Sequence, residues 1–174
     1  MSSEPETAYI ALGANLGDRL ATLREALRRL AAYPEIAVFA ASSVYDTAPV
    51  GPPDQPRYLN AMVAVRTTLT PRQLLAALLS IERALGRARD GSRWTARTID
   101  LDLVLFGEFI ESSADLAVPH PRFRERAFVL LPLAEIAADA RDPVTGERVD
   151  SLLRACPGRS DAVRVGPLGE FPAA

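Results

Sequence analysis

Lysine is absent from this chain: all twenty basic residues are arginine. That excludes the phosphate-binding loop built around a lysine, and any Schiff-base mechanism on a lysine amine. A phosphate bound here is gripped by planar guanidinium forks rather than by ammonium point charges. Cysteine and histidine are nearly absent too. Cys156 has no second cysteine with which to close an internal disulfide, and with His120 the sole histidine no Cys/His metal site can be assembled. A metal must therefore sit among oxygen ligands, which points to a hard cation such as Mg²⁺.

Long apolar runs are also missing. Nothing approaches the length that spans a bilayer, and the opening "MSSEPETAY" has neither the basic region nor the apolar stretch of a secretion signal. A cytoplasmic location with no membrane partner is the expectation. The formal net charge of −2 provides no general basic surface, so nucleic acid is not expected as a partner. At 174 residues, 48% apolar and 24% charged, with no internal repeat or linker, the chain is expected to be one domain over 1–174.

What is present alternates between strand and helix patterns. Residues 8–12, "AYIAL", read as a short strand ending at Gly13, and "LGANLG" after it reads as a tight turn. Over 18–31, Leu20, Leu23, Leu27 and Leu30 recur at helical spacing with charges opposite. Residues 36–45 resume strand character, and 47–56, "TAPVGPPDQP", is a loop. Residues 58–67 then alternate, with Leu59, Ala61, Val63 and Val65 on one side and Tyr58, Asn60, Met62 and Ala64 on the other. Thr70, Pro71 and Gln73 open a second helix as a capping box. Leu74, Leu78, Ile81 and Leu85 form its inner stripe, and Gly86 stops it. A strand over 99–106 follows, then a short helix in "RERAFVLLPLAEI" and irregular C-terminal chain.

Strand-helix-strand-strand-helix-strand is the ferredoxin-like α+β arrangement: an antiparallel sheet, both helices on one face, and here a C-terminal helical or irregular extension. The usual order, 4-1-3-2, leaves the other face open. It brings the end of the first strand, the start of the third (Tyr58, Asn60) and the start of the fourth (Asp100, Asp102) to one rim. With Leu59/Ala61/Val63/Val65 and Ile99/Leu101/Leu103/Leu105 facing the helices, those four polar residues face away from them.

Asp100 and Asp102 lie two apart in a strand, so both carboxylates point the same way, about 7 Å apart along the backbone. Like charges so placed repel unless a cation sits between them. Taken alone, D-x-D is more often a solvated strand entry. Four arginines, Arg87, Arg89, Arg93 and Arg97, crowd the loop immediately before it. Cations for phosphate oxygens beside carboxylates for a metal make a phosphoryl-transfer arrangement. Trp94 is either an apolar anchor or a lid over a base. Tyr58 and Asn60 offer a π surface and an amide, which suit a flat, nitrogen-rich heterocycle. Phe128 is either a second stacking wall or core. His120 alone reads as structural, but it has Arg122, Arg124 and Arg126 as neighbours, and Glu82 reads as a flank residue near the arginine loop.

Four ordered stretches, "AYIALGANLGDR", "SSVYDTAPVGPPDQPRYLNAMVAV", "ERALGRARDGSRWTARTIDLDLVLFG" and "VPHPRFRERAFVLLPLAEI", together resemble the 6-hydroxymethyl-7,8-dihydropterin pyrophosphokinase family over residues 8–140. The resemblance implies transfer of the β,γ-pyrophosphoryl group of ATP to the pterin's hydroxymethyl oxygen, releasing AMP, in folate biosynthesis. It implies two Mg²⁺ held by Asp100 and Asp102, with Arg87 and Arg97 sharing catalysis. Thr47, Val50, Tyr58, Asn60 and Phe128 would bind the pterin; Glu82, Arg89, Trp94, His120 and Arg126 would serve ATP. ATP and a dihydropterin are the expected partners, and a monomer is expected. Ala14, Ala48, Leu79, Asp90, Thr95-Ala96 and Pro121 depart from the family's usual residues; proline commonly stands where this chain has Ala48. The alternative is a non-catalytic ferredoxin-like module that binds a small ligand, which has no need of carboxylates beside an arginine loop. An RNA-reading sheet would carry several aromatics on its central strands.

Overall fold

A computed structural model of the chain describes residues 4–51, 54–86 and 99–172. The first strand, β1 (Glu6–Ala14), leads into α1 (Arg19–Ala31), which Asp18 caps by accepting the Ala21 amide at 3.1 Å. Strands β2 (Ile36–Ala41), β3 (Ser43–Thr47) and β4 (Tyr58–Thr67) follow, then α2 (Pro71–Ala84) and β5 (Asp100–Phe106). The capping box at α2 is complete: Gln73 N–H donates to the Thr70 hydroxyl at 3.2 Å, and Thr70 N–H donates to Gln73 Oε1 at 2.9 Å. Gly86, just past its end, has φ +87°, a left-handed conformation that glycine adopts without steric cost.

The sheet runs β5-β1-β4-β3, with β2 also on β4. Because β1 is antiparallel to both β4 and β5, those two run parallel to one another and start at the same edge. Leu23, Leu27 and Leu30 of α1 and Leu74, Leu78 and Ile81 of α2 join Ile10, Leu12, Leu59, Ala61, Val63, Val65 and Leu101 in one buried cluster. This is the core that the alternation and the helical stripes anticipate.

The structure departs from the sequence expectation in four places. The strand expected over 36–45 is two strands, because Ser42 interrupts it. The Ser42 hydroxyl takes the place of a backbone carbonyl, accepting the Met62 amide at 2.8 Å. The sheet's other face is not left open. After a hairpin of β6 (Glu111–Ser112) and β7 (Ala117–Val118) come α3 (Ala127–Ala137) and α4 (Val149–Ala155). Leu130 and Leu133 of α3, with Val149 and Leu152 of α4, bury Met62, Val104 and Leu105 in a second core. Helix α3 reads "AFVLLPLAEIA", apolar almost all round, so it needs cover on two sides, and the sheet and α4 supply it.

Leu105 accordingly faces α3 rather than α2. A bulge opposite Tyr9 and Ile10 inserts Val104, and one extra residue reverses the alternation beyond it. The last departure is the C-terminal chain, which is not irregular. Beyond α4, β8 (Val163–Pro167) adds a sixth strand, pairing antiparallel with β3, and Leu168 plugs into the first core. Its Val163 and Val165 flank Arg164 but are exposed, so the short alternation marks no buried face. No helix among the described residues is long and apolar enough to cross a membrane.

Candidate active site

Three strands share a register row at the edge where β4 and β5 begin: Asp100 of β5 lies opposite Gly13 of β1, which lies opposite Asn60 of β4. With strands about 4.8 Å apart, Asp100 and Asn60 flank a strip about 10 Å wide floored by glycine. A Cβ at Gly13 would come to 3.0 Å from Asn60 Oδ1, so a larger residue there would displace the amide. The amide is itself held. Asn60 Nδ2 donates to Thr47 Oγ1 at 2.6 Å, and both residues are buried.

Above this floor is a cavity of about 430 Å³, a size typical of small-molecule sites. Its walls come from the loop after β3 (Thr47, Ala48, Val50, Gln55), from Tyr58 and Asn60, from Asp100 and Asp102, and from Arg122, Arg126, Phe128 and Val129 at the entry to α3. The helix that covers the far face therefore stops short of this rim, and its first turn becomes one wall. Thr47, Val50, Tyr58, Asn60, Phe128, Asp100, Asp102 and Arg126, all singled out in the sequence, meet in this one cavity. Gln55 and Arg122 join them unforeseen. Arg122 had a signal, a third arginine in "RFRER", but nothing in the sequence told it from Arg124, which turns away to pair with buried Asp142.

The wall opposite the carboxylates is cationic. The Arg126 guanidinium lies 5.5 Å from the centre of the Phe128 ring, within cation–π range. Its Nε is buried with no hydrogen-bond partner among the described residues. Burial, then the neighbouring Arg122 guanidinium, lower the Arg126 pKa, while Asp102 and Asp100 act against them. A cation so desolvated is set up to receive an anion.

Two expected site residues lie outside the cavity wall. Glu82 is 2% exposed and uses Oε1 to accept the Leu101 amide at 2.8 Å, between the two aspartates. Its position fixes the start of β5. His120 is half-buried behind Arg126. Its Nδ1 accepts the Arg122 amide at 3.2 Å, which assigns the proton of the neutral ring to Nε2. Arg87, Arg89, Trp94 and Arg97 lie outside the described residues.

Burial, and secondarily Arg126, push the His120 pKa from 6.5 down to about 4. A depressed folded-state value means the unfolded chain takes the proton more readily. The stability that depends on a neutral ring is whole above pH 6.5 and is lost as pH falls towards about 4. As the chain's only histidine, its ring resonances need no assignment. An NMR titration is expected to find a midpoint near 4, and His120→Gln to flatten the fall of the thermal midpoint between pH 6.5 and 4.

Known proteins place this architecture. The model of the 7,8-dihydro-6-hydroxymethylpterin-pyrophosphokinase (HPPK) family matches residues 9–138. The 2-amino-4-hydroxy-6-hydroxymethyldihydropteridine pyrophosphokinase of Pseudomonas aeruginosa is 45% identical over 152 residues, covering 87% of this chain and 93% of that protein. The enzyme of the same name from Methylorubrum extorquens is 52% identical over 146 residues, covering 84% and 90%. Among solved structures, wild-type Plasmodium falciparum HPPK-DHPS with pterin and p-hydroxybenzoate superposes with a TM-score of 0.72 at 14% identity, a likeness of fold. The alignment covers 94% of this chain but 46% of that one, so the chain spans under half the length of this solved neighbour. With three quarters of its length matched by the family model and close relatives of nearly equal length, this chain belongs to the 7,8-dihydro-6-hydroxymethylpterin-pyrophosphokinase family.

Proposed function

We propose that the cavity at the β1–β4–β5 edge is where this pyrophosphokinase transfers the pyrophosphoryl group of ATP to the hydroxymethyl group of 6-hydroxymethyl-7,8-dihydropterin, a step of folate biosynthesis. The observation that carries the reading is the division of one cavity into two chemistries. Tyr58, Asn60, Thr47 and Phe128 bring ring faces, an amide and a hydroxyl to it, and Asp100, Asp102, Arg122 and Arg126 bring charge of both signs.

The pterin ring lies between Tyr58 and Phe128, its amide-like edge on Asn60, with Thr47 orienting that amide and Val50 closing the apolar side. The strip of about 10 Å between Asn60 and Asp100 then leaves the hydroxymethyl oxygen close to the carboxylates. That oxygen attacks the β-phosphorus and releases its proton to solvent, the bond between the β-phosphorus and the α,β-bridging oxygen breaks, and AMP departs with that oxygen. A loose phosphoryl transition state asks little of a base and much of positioning and charge neutralisation, which suits a cavity of this composition.

Two aligned carboxylates and no softer donor fit Mg²⁺. Asp100 and Asp102 would hold it, two ions with ATP, and the chemistry supplied there is neutralisation of the triphosphate and polarisation of the attacked phosphorus. Arg126 receives phosphate oxygens, with His120 behind it donating from Nε2. Glu82, through Leu101, sets where Asp100 and Asp102 stand. Arg87, Arg89, Trp94 and Arg97 complete the ATP side. In this reading the core is ferredoxin-like, and the chain acts as one domain, a cytoplasmic monomer.

The test is incubation with Mg-ATP and the hydroxymethyl-dihydropterin, with nucleotide products separated by chromatography. AMP formed in step with the pterin diphosphate is expected. ADP as the product, or no turnover, would overturn the reading.

A further inference from the structure

Asp161 ends a short 3₁₀ turn (Arg159–Asp161) just before β8 and is absent from the cavity wall. Its side chain nevertheless reaches the loop that forms part of that wall. Asp161 Oδ2 accepts the Ala48 amide at 2.7 Å. Its Oδ1 lies 3.6 Å from Arg57 Nη1, and its backbone carbonyl accepts from Arg57 Nη2 at 3.2 Å. Ala48 is the first residue after β3 and Arg57 the last before β4, so one residue holds both ends of the loop 48–57.

Neighbouring charges complete the arrangement. Arg57 Nε donates to Asp46 Oδ1 at 2.5 Å, and Arg19 Nη1 donates to the Arg57 carbonyl at 2.9 Å. A trans peptide holds its N–H and C=O in opposite directions, so fixing the Ala48 N–H also fixes the Thr47 carbonyl. Thr47 carries the hydroxyl that accepts from Asn60, and Thr47, Ala48 and Val50 all line the cavity. Ordering a loop costs about 1–2 kcal/mol per residue. A loop ordered by its own protein does not charge that cost to the ligand.

We propose that Asp161 is a positioning residue for the dihydropterin side of the cavity, clasping the loop 48–57 at both ends so that its cavity-lining residues stand in place before the substrate arrives. The inference rests on the placing of the pterin argued above. It gives the segment beyond α4 a part in substrate binding: β8 joins the sheet on β3, and the turn before it delivers the clasp.

Calorimetry on the full chain tests it, titrating Mg²⁺ with α,β-methylene-ATP and then the hydroxymethyl-dihydropterin into that complex. Asp161→Ala is expected to weaken dihydropterin binding about tenfold, the scale of one hydrogen bond to an ionised carboxylate. Affinity for the ATP analogue and the thermal midpoint should stay near those of the parent. Asp161→Asn keeps an acceptor for the Ala48 N–H and should lose less. In an Ala48→Pro background, which has no N–H to hold, Asp161→Ala should lose most of its effect.

An unchanged dihydropterin affinity in Asp161→Ala overturns the inference. So does an equal loss for both ligands with a lowered thermal midpoint, or a full effect of Asp161→Ala in the Ala48→Pro background. Asn60→Ala separates the two levels. If it weakens dihydropterin binding while Asp161→Ala does not, the clasp alone fails. If Asn60→Ala has no effect, the placing of the pterin fails and the inference falls with it.

Discussion

Asp100→Ala and Asp102→Ala are each expected to lower the rate of AMP formation by on the order of 10³-fold or more, with the fold intact. Both side chains line the cavity, and both belong to a strand anchored on its other side by buried Leu101 and Leu103. Truncation at the carboxylates leaves that packing alone, so circular dichroism and the thermal midpoint should match the parent. On the proposed reading the loss falls on catalysis, because each carboxylate would help hold the metal whose charge neutralises the triphosphate. A variant that kept a near-parental rate would show that the metal is held elsewhere.

Phe123→Ala should have the largest effect on stability, about 3–5 kcal/mol, the usual cost of emptying a fully buried phenylalanine site. Phe123 is 0% exposed, in the second core beneath α3 and α4. For a chain of this size the loss corresponds to a fall of roughly 10 °C in the thermal midpoint. Phe39→Ala is the contrast. That ring is 43% exposed on β2, and its removal should change stability by no more than about 0.5 kcal/mol. Chemical denaturation of the two variants measures both. Equal, small effects would mean that the C-terminal layer is a loose covering rather than a second core.

That second core marks where reading the sequence stopped. The first core was legible because each of its elements carries its own period. Leu23, Leu27 and Leu30 fall on one helical face, Leu59 to Val65 alternate in β4, and Thr70 to Gln73 spell out a cap. Such patterns state which side of an element is buried. They do so only while one side is exposed, and α3, apolar almost all round, points in no single direction. The bulge at Val104 defeats alternation in another way, since one inserted residue moves Leu105 to the opposite face. Strand β8 has only the brief alternation Val163-Arg164-Val165, and both valines are exposed, so it points to no buried face.

Most of the cavity was legible too, because strand parity and the order of elements are enough to bring Asp100, Asp102, Tyr58 and Asn60 to one rim. Gln55 and Arg122 were not, since a loop residue and one arginine among several carry no period. By itself, then, the sequence determined the family, the first core and the residue types of the cavity floor, all consequences of local pattern and order along the chain. Only the tertiary structure decided that the far face is closed by α3 and α4, that Arg122 rather than Arg124 joins Arg126 on the cavity wall, and that Asp161 reaches the loop at Ala48. The physical reason is the same in each case. These outcomes depend on which distant segments share a surface, and side chains far apart along the chain, 113 positions for Ala48 and Asp161, leave no mark on each other's local sequence.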